Sequence, residues 1–468
     1  MTHYVSLLGL GFGDCGKGLF TDFLARHWQA HTVVRFNGGA QAGHNVVLPD
    51  GRHHTFSQFC AASFQSGVHT VLAAPVVVHP GALLVENHLL LQNGVPNAMQ
   101  RLIIDGRCRI NTPFHQAAGR LRELQRGPAA HGTCGVGVGE TVAHALAWPE
   151  QMLCYADLFR PKLALAKLDA IRLTLLAEFG PDCPVPENAS QYTAERQLLL
   201  DPAISARWLL QIGELLRCVP PASRESLRAR LQQPGTVLFE GAQGVLLDEW
   251  RGFHPHTTWS TIHPDAVRGV LLELGISEPA RHFGILRSYH TRHGQGPLPT
   301  RDSALDVLAE PHNHGASWQG QFRRGHFDGV LLRYALEVCG PLDGLLISHL
   351  DALGQVPGIR YCHAYLLNDT THSGKTDTTD SPLFQRNADG LISALRPGPF
   401  RDLSHQSSLA NLLTQVQPCY HPAPLMHPND LLAKLADLTD CPVILGSFGP
   451  THENVQILAP ALLTGLVA

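Results

Sequence analysis

The chain has 468 residues, a net charge of −4, 44% hydrophobic residues and only 16% charged ones. That apolar content supplies a core and excludes extensive disorder. The lack of a basic excess argues against a nucleic-acid polymer as partner, because phosphate backbones are held by clustered Lys and Arg.

Near-continuous apolar runs predict buried strands over residues 4–10, 32–36, 70–78, 236–239, 283–286, 344–350 and 442–445. Helical periodicity predicts helices over 17–29, 161–178, 204–217 and 223–231, the first with Leu19, Phe20, Phe23 and Leu24 on one face. This alternation predicts an α/β fold with a mostly parallel central sheet. Residues 107–234 are helix-rich and are expected to be an insertion within one domain spanning 1–468. Residues 294–325, rich in Gly, Pro, His and Asn, are expected to form long active-site loops. The eleven cysteines include no C-x-x-C pair and read as free thiols in a reducing compartment. The N-terminus lacks a basic segment and a small-residue cleavage site. No run reaches the ~18 apolar residues of a membrane span, so a cytoplasmic protein without membrane contact is expected.

The run from Gly11 to Gly18 reads G-F-G-D-C-G-K-G between a predicted strand and a helix. Gly11, Gly16 and Lys17 fit the G-x-x-x-x-G-K phosphate loop, in which glycines let backbone N–H groups face phosphate oxygens. The helix N-terminus adds partial positive charge, and Lys17 supplies a mobile cation. Gly18 stands where a metal-binding Ser or Thr is usual. Asp14 is an acid inside the loop, and it needs a metal or a proton to take.

The run 9–18, G-L-G-F-G-D-C-G-K-G, resembles the G-x-Q-W-G-D-E-G-K-G opening of the adenylosuccinate synthetase family. Residues 33–44, V-V-R-F-N-G-G-A-Q-A-G-H, resemble its V-V-R-x-x-G-G-x-N-A-G-H segment. G-T-C-G at 132–135, F-E-G-A-Q-G at 239–244, T-R-H-G-Q-G-P-L-P-T at 291–300, Leu350-Asp351 and S-F-G-P at 447–450 follow in the family's order.

The resemblance implies a P-loop-like GTP site and a GTP- and Mg²⁺-dependent ligase. GTP would phosphorylate the 6-oxygen of inosine monophosphate, and the amine of aspartate would displace that phosphate. It implies Asp14 as general base at the ring N1 and as metal ligand, with the Gly43 carbonyl completing the Mg²⁺ shell. It implies His44 as a hydrogen-bond donor to the transferring phosphoryl group, and places Lys17 and Gln243 beside it. Gly13, Gly16, Lys17, Gly18, Gly43, His44, Asp351, Ser447, Gly449 and Pro450 would hold GTP. Asp351, at a strand's end, can accept from guanine N1–H and the 2-amino group, a donor pair that adenine lacks. Gln41, Thr133, Cys134, Gln243 and Thr258 would contact the acceptor, and Thr300, Gln321 and Arg323 the amine substrate. A homodimer is implied.

The chain departs from the family chiefly on the acceptor and amine sides. Gln41 replaces an asparagine, Cys134 a threonine, and Trp148 an arginine donated across the dimer. Gln321 replaces one arginine of the amine loop. Cys15, Leu19 and His349 replace Glu, Lys and Lys beside the GTP site. Cysteine is a weak donor and tryptophan offers no guanidinium fork. Monophosphate binding is therefore expected to be weaker, unless Arg251, Arg287 or Arg292 compensates. The close pairs His254/His256, His290/His293 and His312/His314 lack a zinc spacing and read as polar loop residues. Two other readings stand beside the leading one: the same chemistry on another acceptor or amine, and a guanine-nucleotide-binding regulator that has lost catalysis.

Overall fold

The computed structural model describes residues 1–180, 183, 189–313, 318–355, 358–368 and 381–464. Ten strands form the main sheet. In order they are Val455–Ile457, Val443–Ser447, Gly344–Ser348, Ala280–Arg287, Thr2–Gly9, Gly235–Gly244, Thr32–Arg35, His69–Leu72, Leu102–Asp105 and Pro221–Ala222. All neighbours are parallel except the outermost Val455–Ile457. The central strands are apolar on both faces, as Leu7, Leu8, Val33, Val34, Leu238, Phe239, Leu346 and Ile347 show. A parallel sheet covered by helices requires this.

Chain order reverses around Thr2–Gly9. From it the chain moves outward through Thr32–Arg35 and His69–Leu72, and later returns to build the other wing from Ala280–Arg287 onward. Loops at the carboxyl ends of strands beside such a reversal form a crevice. Residues 10–16, 36–43, 245–260, 288–300, 349–351 and 448–450 all leave the sheet at that edge.

Several predicted elements have different bounds. The 70–78 strand stops at Leu72, and a separate Val77–Val78 strand follows; Pro75 has no N–H to offer the ladder. The 204–217 helix is two helices, Ile204–Gln211 and Gly213–Cys218, parted where Gly213 weakens the run. The 344–350 strand ends at Ser348 because His349 adopts a left-handed φ of 60°. The 236–239 strand extends to Gly244.

The helices Pro113–Arg126, Val138–Ala147, Pro161–Glu178 and Ala189–Leu200 lie between the last inner strand and the far edge. Their apolar residues Phe114, Leu121, Leu168 and Ile171 join one core with Leu72, Val78, Leu102 and Ile104. Among the described residues no helix is long and apolar enough to cross a membrane.

Candidate active site

The strand Thr2–Gly9 turns into helix Lys17–His27 through a loop in which Gly13 and Gly16 have φ of 88° and 90°. Gly16 caps the helix without any side-chain hydrogen bond, and no acid lies in its first turn. The first amides of that helix therefore remain open to an anion. A Cβ at Gly16 would stand 2.8 Å from Ser348 Cβ. A Cβ at Gly18 would stand 2.4 Å from the Asn45 carbonyl oxygen. Gly18 is thus explained by packing: strand His44–Val47 crosses the helix there and leaves no room for Ser or Thr.

Lys17 is only 3% exposed, yet no carboxylate pairs with it among the described residues. Its Nζ lies 3.7 Å from Cys15 Sγ, a weak partner. A buried, uncompensated ammonium at an open helix end is unfavourable unless an anion joins it.

Asp14 has φ 45°. Its Oδ2 accepts from Arg287 Nη1 at 2.8 Å and from Asn313 Nδ2 at 3.1 Å. Its Oδ1 has no partner among the described residues. Arg287 is itself shared: Nη2 donates to Glu310 at 2.5 Å, to Tyr289 Oη at 2.9 Å and to His349 Nε2 at 2.8 Å. Burial, then the charge of Arg287, pushes His349 well below the usual imidazole range. His349 is therefore neutral and turned inward. Sequence reasoning did not single out Glu310 and Asn313, although both lie in the 294–325 segment expected to form active-site loops.

His44 is buried, with Nδ1 2.5 Å from Glu240 Oε1 and Nε2 3.1 Å from the Ala242 carbonyl. Burial holds its pKa below the ordinary imidazole value, while Glu240 pulls the other way. Glu240 also accepts the Ala61 amide at 3.1 Å. Gly244, paired with Gly9, lies so close to the phosphate loop that a Cβ would meet the Gly11 carbonyl oxygen at 2.0 Å. The strand bearing Glu240 and Gln243 is thereby seated against the loop bearing Asp14. Gln243 accepts from Asn37 at 2.9 Å and donates to the Ser260 carbonyl at 2.8 Å. Gln41 is placed beside Gly38 and Ala242, and both of its amide atoms are buried without a partner.

Asp351 follows the end of strand Gly344–Ser348. Ser447 is tied to the same turn: its Oγ accepts from His349 N at 3.2 Å and its carbonyl from Leu350 N at 2.9 Å. Gly449 packs against Asn454, and Pro450 is exposed. These residues adjoin the phosphate loop through Ser348 and Gly16. Gly43 is exposed at the head of strand His44–Val47.

The acceptor and amine loops touch. Gly132 lies against the Gln319 carbonyl and Gly294, and the Trp318 ring packs on Gly135 and over Arg120 at 5.6 Å. Glu123, missed in the sequence, holds the acceptor loop by accepting the amides of His131, Gly132 and Thr133 at 3.4, 2.9 and 3.3 Å. Thr133 is exposed, and burial raises the Cys134 thiol pKa. Thr258 gives its hydroxyl to Leu247 O at 3.0 Å. Arg323 donates to Gly294 O and Gly296 O at 2.6 and 2.9 Å, and Gln321 is exposed. Thr300 is fully buried and bonded to His326 O at 2.9 Å, so its hydroxyl serves the fold.

Two of the three candidate compensating arginines, Arg287 and Arg292, are taken up by protein acceptors, and Arg251 spends one donor on a carbonyl. Arg287 is committed to Asp14 and Glu310, Arg251 donates to Gly398 O at 2.8 Å, and Arg292 donates to the carbonyls of Gln295, Pro297 and His256. Trp148 caps helix Val138–Ala147 on the surface, 46% exposed. Among the other histidines, His290 is half-buried, and desolvation pushes its pKa down to about 4. His53 stacks on His312 with centroids 4.0 Å apart. His314 lies outside the described residues.

The adenylosuccinate synthetase family model matches residues 6–388. The chain is 31% identical to adenylosuccinate synthetase of Alkalilimnicola ehrlichii, over 98% of each chain. It is 32% identical to that of Neisseria meningitidis, again over 98% of each. A fully ligated adenylosuccinate synthetase from Plasmodium falciparum shares the fold, with a TM-score of 0.73 at 18% identity, over 97% of this chain and 99% of that one. Cyanophage S-2L succinoaminodeoxyadenylate synthetase, bound to dGMP and dATP, aligns with a TM-score of 0.55 at 16% identity, over 100% of this chain and 99% of that one. The chain belongs to the adenylosuccinate synthetase family, GTP- and Mg²⁺-dependent carbon–nitrogen ligases of purine biosynthesis.

Proposed function

We propose that this protein joins the amine of aspartate to the 6-carbon of inosine monophosphate, giving adenylosuccinate at the expense of GTP. The observation that carries this reading is Lys17: a buried ammonium without a carboxylate partner among the described residues, at the uncapped start of a helix, with Asp14 in the same loop. These groups fit a Mg²⁺-bound nucleotide, since open amides and a cation suit phosphates and a single carboxylate suits a hard cation that keeps water and phosphate ligands. Asp14 and the Gly43 carbonyl would hold Mg²⁺, which would supply neutralising charge at the phosphate oxygens.

In this reading Asp14 takes the N1 proton of the purine, which makes the 6-oxygen nucleophilic. Arg287 and Asn313 fix one carboxylate oxygen and leave the other to face the substrate. His44 turns from Ala242 O toward the transferring phosphoryl group and donates Nε2–H to it; keeping Nδ1–H on Glu240 at the same time requires the imidazolium, which Glu240 and the phosphoryl charge together favour against burial. Lys17 adds a positive charge at the same phosphate. Asp351 accepts from the guanine edge beside Ser447, Gly449 and Pro450. Gly13 and Gly16 let the backbone close on the phosphates, and Gly18 lets strand His44–Val47 bring Gly43 and His44 up to the same nucleotide. Gln41, Thr133, Cys134, Gln243 and Thr258 line the acceptor side, and Gln321 and Arg323 the amine side. Thr300 supports that side from beneath. The protein acts in the cytoplasm as a homodimer, with Trp148 on the surface between subunits.

The test is mass spectrometry of the purified protein with GTP, Mg²⁺, inosine monophosphate and aspartate. Adenylosuccinate with stoichiometric GDP and phosphate is expected. The fewer donors at Cys134, Trp148 and Gln321 favour one variant of the reading, another oxopurine or another amino acid. A panel of both in the same assay would reveal it as a product of different mass.

A further inference from the structure

Three imidazoles stand together where the acceptor and amine loops meet, and the reaction scheme above uses none of them. His131 precedes Gly132 of the acceptor loop, and His254 and His256 flank Pro255 just before Thr258. The rings of His131 and His256 meet edge to face with centroids 6.2 Å apart. Arg292 Nη2 donates to the His256 carbonyl at 3.2 Å. Arg323 is anchored on Gly294 O and Gly296 O. A Cβ at Gly296 would stand 2.8 Å from His256 Cβ, so the glycine brings the arginines and imidazoles close.

Five basic side chains thus share one small region. Burial, then Arg292, His131, Arg323 and His254, push the His256 pKa down to about 4. His131 and His254 are also lowered, first by burial. Glu123 is the carboxylate facing His131, and it is already committed to Arg126 and three backbone amides. None of the three imidazole rings has a hydrogen-bond partner among the described residues. His256 Nδ1 and Arg323 Nε are buried and unpaired. Among the described residues no three metal-ligating side chains are grouped to hold a cation. Neutral imidazoles left unpaired beside two guanidinium groups are poorly satisfied alone, and a bound anion would take their N–H groups and favour their protonation.

We propose that His131, His254 and His256, together with Arg323, form an oxyanion subsite that holds the phosphate or carboxylate end of a small-molecule substrate. Arg292 contributes charge without contact, since backbone carbonyls take its donors. The proposal rests on the ligase reading and supplies what the acceptor side lacks: His131 lies two residues before Thr133 and His256 two before Thr258, on loops where Cys134 offers no strong donor. The anion is either the 5′-phosphate of the nucleotide or a carboxylate of the amino acid.

Calorimetry distinguishes them without turnover. Wild type and the double variant His131→Ala/His256→Ala are titrated with inosine monophosphate and inosine, and with aspartate and asparagine, in the presence of Mg²⁺ and a non-hydrolysable GTP analogue. The double variant is expected to lose at least tenfold in affinity for one charged ligand. Its affinity for inosine and for the GTP analogue should stay within about twofold; if aspartate is the ligand affected, unchanged affinity for asparagine assigns the side-chain carboxylate to the subsite, and a parallel loss for asparagine assigns the α-carboxylate. The pair affected identifies the source of the anion. Retained affinity for both charged ligands overturns the subsite, as does a wild type that binds neither. If the double variant no longer binds the GTP analogue, the single variants His131→Gln and His256→Gln, which keep the side-chain volume, are read by the same criteria. A failed product assay beside a positive calorimetric result would overturn the reaction assignment and leave the subsite standing.

Discussion

At Asp14 the decisive feature is that one carboxylate oxygen is fixed and the other has no partner among the described residues. Asn at this position keeps the shape and removes the basicity. Asp14→Asn is expected to lower turnover by at least ~10²-fold, with GTP affinity largely kept by Lys17 and the loop amides; steady-state kinetics and equilibrium binding check the two halves separately. Asp351 is the corresponding residue for nucleotide choice. Asp351→Asn turns one acceptor into a donor facing guanine N–H groups, a mismatch worth roughly 1–3 kcal/mol, so the KM for GTP should rise about tenfold or more. A third residue reports on stability. Asp328 is buried, bonded to Tyr365 Oη at 2.7 Å, and caps helix Gly329–Cys339. Burial raises its pKa from 3.8 to about 6. The native state therefore holds this proton more tightly than the unfolded chain does. Its contribution is full below the unfolded pKa and is lost as pH rises toward the folded one. Asp328→Asn should gain on wild type between about pH 4 and 6, by roughly 3 kcal/mol at most. Denaturant melts of both proteins across that range measure the difference.

The elements place the site by close backbone approaches. Strand His44–Val47 lies across helix Lys17–His27 at Gly18, strand Gly235–Gly244 lies on the phosphate loop at Gly244, and Ser348 abuts Gly16. Each contact brings together loops from different strands, and each depends on the absence of a side chain. Gly18→Ala tests this at one contact. Alanine favours the helix by its own propensity, so secondary structure should persist. The strand must shift, however, and it carries Gly43 and His44 with it. A displacement of about an ångström at reacting groups costs up to ~10²-fold. The expected outcome is a 10- to 100-fold fall in kcat with an unchanged circular dichroism spectrum.

Across the whole molecule, the residues proposed for GTP come from both wings of the sheet: 13–18 at its centre, 43–44 on one side, and 351 and 447–450 on the other. A ligand that bridges these segments binds the folded chain alone. At a hundredfold excess over Kd it should stabilise the protein by about 2.7 kcal/mol, seen as an upward shift of the thermal midpoint. ATP should give a smaller shift than GTP at the same concentration, and EDTA should remove most of the GTP effect. Equal shifts with both nucleotides would contradict the guanine assignment to Asp351.

The sequence by itself determined the α/β class, the strand–loop–helix around Lys17 and the order of the family's motifs. These signals are local: apolar runs, glycine spacing and an acid inside a phosphate loop are legible within a dozen residues. Tertiary structure decided what those residues touch. Arg287 looked like a spare cation for a phosphate, but the sheet sets it beside Asp14, Glu310 and His349, which come from three separate loops. Thr300 looked like a substrate contact, but its burial turns the hydroxyl to His326 O. Gly18 looked like a lost metal ligand until strand His44–Val47 was seen to pass over it. Read one pair at a time, the histidines looked like loop polarity. Only the fold brings His131 against His256, 125 positions apart in the chain, because long-range contacts between loops leave no periodicity or spacing in the sequence to read.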